Sequence, residues 1–290
     1  MTTVTEVSVF FDGFDHVPRL SHPEGVAVHT DGSVWCGSET GELFRINPEG
    51  SGFEVVAVLG GFLLGIAFDN QGNIYVCNQQ RKTVVRVAPE GKDMIDLYVP
   101  GDGPSLPNYP VVDVKRNRLY VSDSRRESRG EASIWTVDLD GAGAEPWSTH
   151  PFAFANGMAL SQDGTRLFVA ATWDRAVFEV AITPSGQPGR VSIFAENLPG
   201  LPDGIALTHD GDLVVSCYEP SQILHINQNG EAQILLHDET AHLMCHPTNV
   251  AFRGSELFTA NLGRWHITRL LTDLRGPLSS FPKHLTNQDG

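Results

Sequence analysis

One pattern recurs six times along the chain, and it limits the fold more than any other feature. Each copy begins with a small or turn-forming residue, continues through a short apolar run to an Asp, Asn or Gly turn, and ends in a second apolar run. The third letters of the copies are Gly25, Gly65, Tyr109, Gly157, Gly204 and Asn249, with spacings of 40, 44, 48, 47 and 45 residues. Six copies at roughly 45 residues are typical of propeller blades built from four strands.

Each copy also carries the signal of a β-hairpin. Turns that read TDG, NQG, QDG and HDG lie between β-rich runs, and glycine in such a turn adopts a positive φ at little cost. A third run follows in most copies, such as ELFRI after Gly41. No segment shows the long amphipathic period of the helices that a βαβ protein needs. The sequence therefore predicts an all-β, six-bladed propeller.

The two ends of the chain predict how the ring closes. The segment TEVSVFF, from Thr5 to Phe11, precedes the first copy, and the last copy supplies only three strands, ending near ITRLL. An N-terminal strand that completes the final blade would close the ring and remove exposed sheet edges. We therefore expect residues 1–290 to form a single six-bladed propeller domain, with a loosely structured tail after about Leu271.

Charge and composition narrow the classes of partner. The chain has 20 Lys and Arg against 35 Asp and Glu, a net charge of −15, which argues against a nucleic-acid binder and against docking on anionic lipid. No apolar run is long enough to span a membrane, and no secretory signal is visible. We expect a cytoplasmic protein that acts on a small molecule without nucleic-acid or membrane partners. The sequence leaves the oligomeric state open.

The residue before the third letter of each copy is where we expect chemistry, because the innermost strand of a blade starts at the mouth of the central channel. These residues are Glu24, Leu64, Asn108, Asn156, Asp203 and, one place offset, Thr248 or Asn249. Asn-Gly and Asp-Gly are common turn formers, but turn chemistry does not explain polar residues in four blades. Buried carboxylates are costly to desolvate, and a hard divalent cation would satisfy them, Ca²⁺ first and Mg²⁺ or Mn²⁺ next.

Four motifs at these positions carry a family resemblance. PEG at Pro23–Gly25, PN at Pro107–Asn108, ANG at Ala155–Gly157 and PDG at Pro202–Gly204 occur in order and at blade spacing. Over about residues 20–262 the chain resembles the senescence marker protein/gluconolactonase (regucalcin-like) family of six-bladed propellers, related more distantly to diisopropylfluorophosphatase and paraoxonase. The resemblance implies one divalent cation held by Glu24, Asn156 and Asp203, with Asn108 in ligand or substrate reach. Ca²⁺ is the first choice, and Mg²⁺, Mn²⁺, Zn²⁺ and Fe²⁺ are the alternatives.

The resemblance also implies an activity, the hydrolysis of a lactone or related small cyclic ester with the metal as Lewis acid. Asp203 would act as base or as nucleophile, and the sequence leaves both open. Tyr109 follows Asn108 where the family has Asp, and Ser105, Leu106 and Pro107 stand where the family often has a substrate-binding Arg. We therefore expect Asn108 and Tyr109 to contact a substrate that is more apolar and less hydroxylated than an aldonolactone.

Three histidines precede copies of the repeat, namely His22, His150 and His246. They are candidates for the pocket rim, for proton transfer and for substrate contact, and hydrogen-bonded loop histidines are the alternative. His242 and His246 flank Cys245 at a spacing that hints at zinc, but no predicted helix presents them on one face. Packing between blades is the favoured role of the tryptophans, with pocket lining as the alternative: Trp35, Trp147, Trp173 and Trp265.

Two other function classes remain open at this point. One is a propeller used as a binding scaffold, which needs no converging carboxylates. The other is a metal-free condensing enzyme resembling strictosidine synthase, in which Glu219 of the SCYEP segment would be the acid–base group. In either class and in the hydrolase, specificity is expected in loops such as Arg125–Glu131 and Pro220–Ser221.

Overall fold

The computed structural model describes residues 2–125, 132–141 and 143–277. Within these ranges, 24 strands form six four-stranded antiparallel sheets, and a 3₁₀ turn spans Val114–Arg116. The innermost strands of successive sheets contact one another and close a ring, the first against the last. The predicted six-bladed propeller is therefore confirmed.

The strands run from the axis outward within each blade. The chain begins with β1 (Val4–Asp12), and blade one comprises β2 (Val26–Val28), β3 (Val34–Gly37), β4 (Glu42–Ile46) and β5 (Phe53–Val58). Blade two comprises β6 (Leu63–Phe68), β7 (Ile74–Asn78), β8 (Thr83–Val87) and β9 (Met94–Asp96). Blade three comprises β10 (Pro107–Asp113), β11 (Arg118–Asp123), β12 (Ile134–Asp138) and β13 (Ala144–Ser148). Blade four comprises β14 (Ala155–Leu160), β15 (Arg166–Ala171), β16 (Ala176–Ile182) and β17 (Pro188–Ala195). Blade five comprises β18 (Pro202–Leu207), β19 (Leu213–Cys217), β20 (Gln222–Ile226) and β21 (Ala232–His237). Blade six takes from this end of the chain β22 (Pro247–Arg253), β23 (Glu256–Asn261) and β24 (His266–Thr272).

The N-terminal strand closes the ring, as the sequence predicts. β1 pairs antiparallel with β24 as the outermost strand of blade six, with Val7 opposite Leu270 and Phe11 opposite Ile267. Phe11 is buried between blades six and one. Closure therefore joins the two ends of the chain through backbone hydrogen bonds and apolar packing, and it covers an edge that would otherwise be open.

The core lies between blades, in apolar clusters at each of the six junctions among the described residues. The two faces of one strand serve different clusters: on β19, Val215 packs toward blade four and Val214 toward blade six. Strands that are buried on both faces read as continuous apolar runs rather than as an alternation. This explains why the inner strands stand out in the sequence as short, uniformly apolar segments.

Glycines of the repeat allow the inner strands to approach closely at the axis. A β-carbon at Gly157 would lie 2.5 Å from the Asp203 carbonyl oxygen and 2.6 Å from the Gly204 α-carbon. One at Gly25 would lie 2.2 Å from the Leu64 carbonyl oxygen. These neighbours are backbone atoms, which cannot turn away as a flexible side chain can. The repeated glycine is therefore required for close packing of adjacent blades rather than for turn geometry.

We expect Gly157→Ala to destabilise the protein by about 1–3 kcal/mol, because the added methyl group overpacks a rigid contact between blades four and five. Denaturant unfolding measures the effect. The matched control is Gly52→Ala, where the nearest atom to the new β-carbon is the Asn47 side-chain nitrogen at 3.3 Å, so a change within about 0.5 kcal/mol is expected. Equal stability of the two variants would contradict this account of the repeat.

The chain stays attached to the propeller past the point where we expected it to loosen. β24 extends to Thr272, and Gly276 donates a backbone hydrogen bond to the Gly254 carbonyl. The Arg275 carbonyl accepts one from His209. The expected tail therefore falls mainly on residues 278–290, which lie outside the described residues. Among the residues that are described, no helix has the length and apolar character needed to cross a bilayer.

Candidate functional site

A cavity of about 350 Å³ opens at the end of the ring where the innermost strands begin. Its floor is polar and is built by four blades: Glu24, Asn108, Asn156 and Asp203 all line it. Each of these side chains is buried, with exposures between 3 % and 6 %. The sequence predicted that these four positions converge, and the structure brings them together at one site.

The side-chain amide of Asn156 has a defined orientation. Its Nδ2 donates to the Thr172 hydroxyl at 3.2 Å, and that hydroxyl donates to the Pro202 carbonyl at 2.8 Å. Because the hydroxyl hydrogen is used on Pro202, Thr172 can only accept from Asn156, so the nitrogen must face Thr172. The Asn156 Oδ1 atom is thereby left free.

Three floor oxygens are buried and accept no hydrogen bond from any described residue: Oδ1 of Asn108, Oδ1 of Asn156 and Oδ1 of Asp203. Buried polar atoms are nearly always paired in folded proteins, so each unpaired one calls for an explanation. Three unpaired oxygens from three blades on one cavity floor indicate a ligand that accepts their lone pairs.

The two floor carboxylates destabilise each other's ionised forms. Burial raises the pKa of Asp203 to about 7, against the effect of a hydrogen bond from Asn156. Burial and the nearby Asp203 carboxylate raise the pKa of Glu24, while a hydrogen bond from Asn249 acts in the opposite direction. Two buried acids of the same charge are costly unless a proton or a cation neutralises them.

This set of donors fits a hard divalent cation. Glu24 and Asp203 supply two negative charges, and Asn108 and Asn156 supply neutral carbonyl oxygens, which is the ligand chemistry that Ca²⁺ and Mg²⁺ prefer. In the described part of the chain, no three His, Cys, Asp or Glu side chains group as a metal cluster. The possible zinc site at His242, Cys245 and His246 is therefore not supported by the described residues. At the cavity floor, the amide oxygens of Asn108 and Asn156 are needed to complete a set of ligands.

Blade six holds Glu24 in place through Thr248 and Asn249, the two residues that the sequence offers as equivalents of Glu24 at an offset of one place. Asn249 Nδ2 donates to the Glu24 backbone carbonyl at 2.9 Å and to its Oε2 atom at 3.1 Å. Thr248, which lines the cavity, donates its hydroxyl to the same backbone carbonyl at 2.7 Å. Both residues are buried at 1 % exposure. Asn249 therefore orients the Glu24 carboxylate and stabilises its ionised form.

We expect Asn249→Ala to weaken the binding of Ca²⁺ about 10- to 100-fold, because partners that orient a metal ligand contribute that much to affinity. Isothermal titration calorimetry of the cation alone measures it. The control is Asn261→Ala, which removes another buried blade-six amide, one that donates to the His266 carbonyl at 3.1 Å. The control should lose stability without losing cation affinity. A normal affinity in the Asn249 variant would exclude the orienting role.

The cavity wall above the floor is apolar, which agrees with the apolar substrate expected from the sequence, but the residues that form the wall were not predicted. Phe62, Leu106 and Phe154 line it, each two residues before the floor position of its blade. Trp173 and Leu262 line it from the ends of second strands. The signal was present as a bulky residue two places before the floor position, but without a structure nothing showed which of those residues face inward.

Trp173 differs from the tryptophans that pack between blades. Trp35 and Trp147 are buried at 4 % and 6 % exposure, as expected for interblade residues, whereas Trp173 is 50 % exposed and lines the cavity. Its ring meets Phe154 edge-on, with centroids 5.8 Å apart. For Trp173 the structure therefore favours the alternative, pocket lining.

The three candidate histidines do not line the cavity. His22 contacts the Leu262 carbonyl through Nδ1 at 2.7 Å, and His246 stacks on Tyr218, a lining residue, with centroids 4.5 Å apart. Both lie at the rim, behind residues that face inward. His150 packs against Phe152 and Phe178, and burial lowers its pKa. Substrate contact by these histidines stays a prediction.

Two further candidates also lie away from the cavity wall. The Tyr109 ring packs where a β-carbon on Gly65 would be, 2.6 Å from that position, and burial raises the pKa of its hydroxyl. Glu219 is 59 % exposed, and its Oε2 atom lies 3.3 Å from His246 Nδ1. Of the candidate specificity loops, residues 126–131 lie outside the described residues, and Ser221 accepts a hydrogen bond from the His246 backbone.

Comparison with known families gives two matches. The family model described as "SMP-30/Gluconolactonase/LRE-like region" matches residues 115–261. A second, described as "Strictosidine synthase-like, N-terminal", matches residues 16–46. The first match begins after β10 and ends with β23, so it includes Asn156, Asp203 and Asn249 but not Asn108. The second match includes Glu24.

The individual proteins that resemble this chain also include strictosidine synthase-like and gluconolactonase-like proteins. The chain is 25 % identical over 307 aligned positions to Protein STRICTOSIDINE SYNTHASE-LIKE 6 of Arabidopsis thaliana, covering 89 % of this chain and 81 % of that protein. A solved Xanthomonas campestris structure, described as a gluconolactonase, superimposes with a TM-score of 0.75 at 18 % identity, covering 93 % of this chain and 94 % of that one. A luciferin-regenerating enzyme gives a TM-score of 0.75 at 15 % identity, covering 93 % and 97 %. The structural likenesses show the fold, and because the gluconolactonase family model matches half of the sequence, this chain belongs to the SMP-30/gluconolactonase/LRE-like family.

Proposed function

We propose that this protein is a metal-dependent hydrolase of a lactone or a related small cyclic ester. The observation that carries the proposal is the cavity floor, where Glu24, Asn108, Asn156 and Asp203 meet from four blades with three buried oxygens unpaired. Membership of the gluconolactonase-like family supports the same reaction class. The substrate is a small molecule, since the cavity has a volume of about 350 Å³.

Glu24, Asn108, Asn156 and Asp203 would hold one divalent cation, Ca²⁺ in the first place. When bound, such a cation supplies positive charge that polarises an ester carbonyl and stabilises the oxyanion. The two carboxylates neutralise a charge of +2, and the two asparagines add ligand oxygens without adding negative charge. The filled floor would therefore be electrically neutral and would not repel the electron-rich carbonyl of an ester.

Asp203 is the group that would carry out the chemistry. As a base, its carboxylate takes a proton from water while the water oxygen bonds to the ester carbonyl carbon. The carbon–oxygen bond of the ring then breaks, and the proton on Asp203 passes to the leaving alcohol. As a nucleophile, the carboxylate itself bonds to the carbonyl carbon, the ring carbon–oxygen bond breaks, and the alkoxide that leaves takes a proton from water. Water then hydrolyses the resulting anhydride, which releases the product acid and returns Asp203 to its carboxylate form. The Asn156 amide lowers the pKa of Asp203 and so favours the carboxylate that either route needs.

The test is metal analysis combined with turnover. The purified protein is assayed for bound metal by mass spectrometry, stripped with a chelator, and reconstituted with Ca²⁺, Mg²⁺, Mn²⁺ or Zn²⁺. Hydrolysis of six-membered lactones is followed at constant pH by the acid released. We expect the stripped protein to lose activity and one cation per chain to restore it. Full activity in a metal-free protein would reject the proposal.

The alternatives receive less support from the geometry. A metal-free condensing enzyme that uses Glu219 agrees with the strictosidine synthase-like relatives, but Glu219 is 59 % exposed, lies beside His246 and is not part of the cavity wall. A binding scaffold has no use for two buried carboxylates that repel each other. The metal-stripped protein separates these classes, since neither alternative predicts a dependence on a cation.

A further inference from the structure

The wall of the cavity carries information about the substrate that the floor does not. Above the floor, the described lining residues are mostly apolar, with Phe62, Leu106, Phe154, Trp173 and Leu262 prominent among them. Several of these side chains are only half-buried, and Trp173 is 50 % exposed. Apolar side chains that stay accessible inside a concave site are typical of binding surfaces for apolar ligands.

The charges around the cavity also favour an apolar ligand. Among the residues the structure describes, no Lys or Arg lines this cavity. Arg175, close by in sequence to Trp173, donates through Nε and Nη2 to the Leu198 carbonyl, and Arg125 pairs with Asp123 at 2.7 Å. The hydroxyls of the lining residues Thr172 and Thr248 donate to backbone carbonyls. The other described lining residues above the floor that carry a polar side-chain group are Gln79, Tyr218 and, through its indole N–H, Trp173. A substrate with an anionic group or several hydroxyls would lose water here without gaining enough partners.

Hydrogen bonds tie down the backbone that carries the aromatic pair at the wall. Trp173 donates its backbone N–H to the Ala153 carbonyl at 3.0 Å, and the Ala153 N–H donates to Asp174 at 3.0 Å. Phe154 has a φ of 67°, in the left-handed region that side-chain-bearing residues seldom occupy. The same register position has a positive φ in two other blades, at His22 and His246, so this conformation is a feature of the repeat. Hydrogen bonds thus fix the backbone next to both rings, and the two rings contact each other edge-on.

We propose that the ester hydrolysed at this site is uncharged and carries an apolar, ring-sized group that packs against Trp173 and Phe154. This inference rests on the proposed function for the reacting carbonyl, and on the wall residues for the rest of the molecule. Trp173 is the main specificity-determining residue, because it offers the most accessible apolar surface in the cavity.

The experiment compares three six-membered lactones with the cation-loaded protein. δ-Valerolactone has the bare ring, D-glucono-δ-lactone adds hydroxyl groups, and 3-isochromanone adds a fused benzene ring. Each kcat/KM is divided by the rate of uncatalysed hydrolysis, so that differences in chemical reactivity cancel. We expect the order isochromanone, valerolactone, gluconolactone. A preference for gluconolactone would overturn the inference while leaving the proposed reaction class intact.

Variants then connect the preference to the wall. Trp173→Ala should raise KM for isochromanone about 10- to 100-fold, as expected for loss of a large buried contact, and should change KM for valerolactone less than about 3-fold. Trp173→Phe should restore most of the loss. Ile193→Ala, at an exposed position on the outer strand of the same blade, should change neither. An equal effect of Trp173→Ala on both lactones would overturn the specificity role.

A binding experiment tests this inference separately from the proposed hydrolase function. Isochroman has the shape of isochromanone but no carbonyl, so its binding does not depend on catalysis or on the cation. Saturation-transfer NMR should detect isochroman on the unmodified protein and not on Trp173→Ala. If no lactone is hydrolysed but isochroman still binds in this way, the proposed function fails and the inference stands. If isochroman does not bind, the inference fails whatever the enzyme hydrolyses.

Discussion

Replacing Asp203 with Asn should lower lactone hydrolysis about 10³-fold and leave the cation-free protein at least as stable as before. The loss follows because an amide can neither accept the proton nor attack the ester, and general acid–base catalysis contributes 10²- to 10⁴-fold. Stability should be retained because the change removes a buried charge that opposes the Glu24 carboxylate. Steady-state kinetics and thermal unfolding measure the two effects.

The control is Asp69→Asn, at a buried aspartate beyond the opposite end of an inner strand. Asp69 accepts hydrogen bonds from Asn73 and from the Tyr75 hydroxyl at 2.8 and 2.9 Å. Its loss should destabilise the fold while the folded fraction keeps its activity. Glu24→Gln adds a second comparison: a residue that only holds the cation should be rescued by a higher Ca²⁺ concentration, and Asp203→Asn should not. Activity within 10-fold of the unmodified enzyme in Asp203→Asn would exclude its chemical role.

Binding of Ca²⁺ should stabilise the protein, and more so at pH 8 than at pH 5. A ligand at 100 times its Kd adds about 2.7 kcal/mol, which for a chain of this size is about 4–5 °C in Tm. The folded pKa of Asp203, about 7, lies above its unfolded value near 4. The protonated acid therefore stabilises the cation-free fold fully below about pH 4, and this contribution is lost as the pH rises through about 7.

At pH 8 the cation-free protein has lost the proton that neutralises Asp203 at pH 5, so the cation has more negative charge to neutralise. Scanning calorimetry with and without Ca²⁺ at each pH measures the difference. The double variant Glu24→Gln, Asp203→Asn should lose both the stabilisation and its pH dependence, because no charge remains on these two side chains. A gain in Tm that is equal at pH 5 and pH 8, or that survives in the double variant, would place the cation elsewhere.

The candidate site divides into a part that was predictable and a part that was not. Glu24, Asn108, Asn156 and Asp203 could be found because they occupy one register position in a repeat, and a ring brings equal positions to one place. Asn249 was seen only as an offset equivalent, since its contact with Glu24 joins residues 225 positions apart. Trp173 was assigned to interblade packing because tryptophan is common in cores, and only its 50 % exposure shows otherwise.

The rim histidines also show that a position in the repeat does not predict which side chains face the cavity. His22, Phe154 and His246 occupy one register position, two residues before the floor, and all three have positive φ. Yet Phe154 lines the cavity, whereas the two histidine rings bind backbone carbonyls behind it, those of Leu262 and Tyr218. Register thus predicts where a backbone lies but not where its side chain goes, because that choice depends on neighbouring blades that are distant in sequence.

By itself, the sequence determined the ring: six repeats, their strand order, the closure by residues 5–11 and the four floor positions all follow from periodic local patterns. The tertiary structure alone decided which side chains face the cavity, how Thr172 and Asn249 orient the floor, and that the wall is apolar. The physical reason is range. Strand patterns depend on neighbours along the chain, whereas the direction of a side chain at the axis depends on contacts between blades that exist only once the ring has closed.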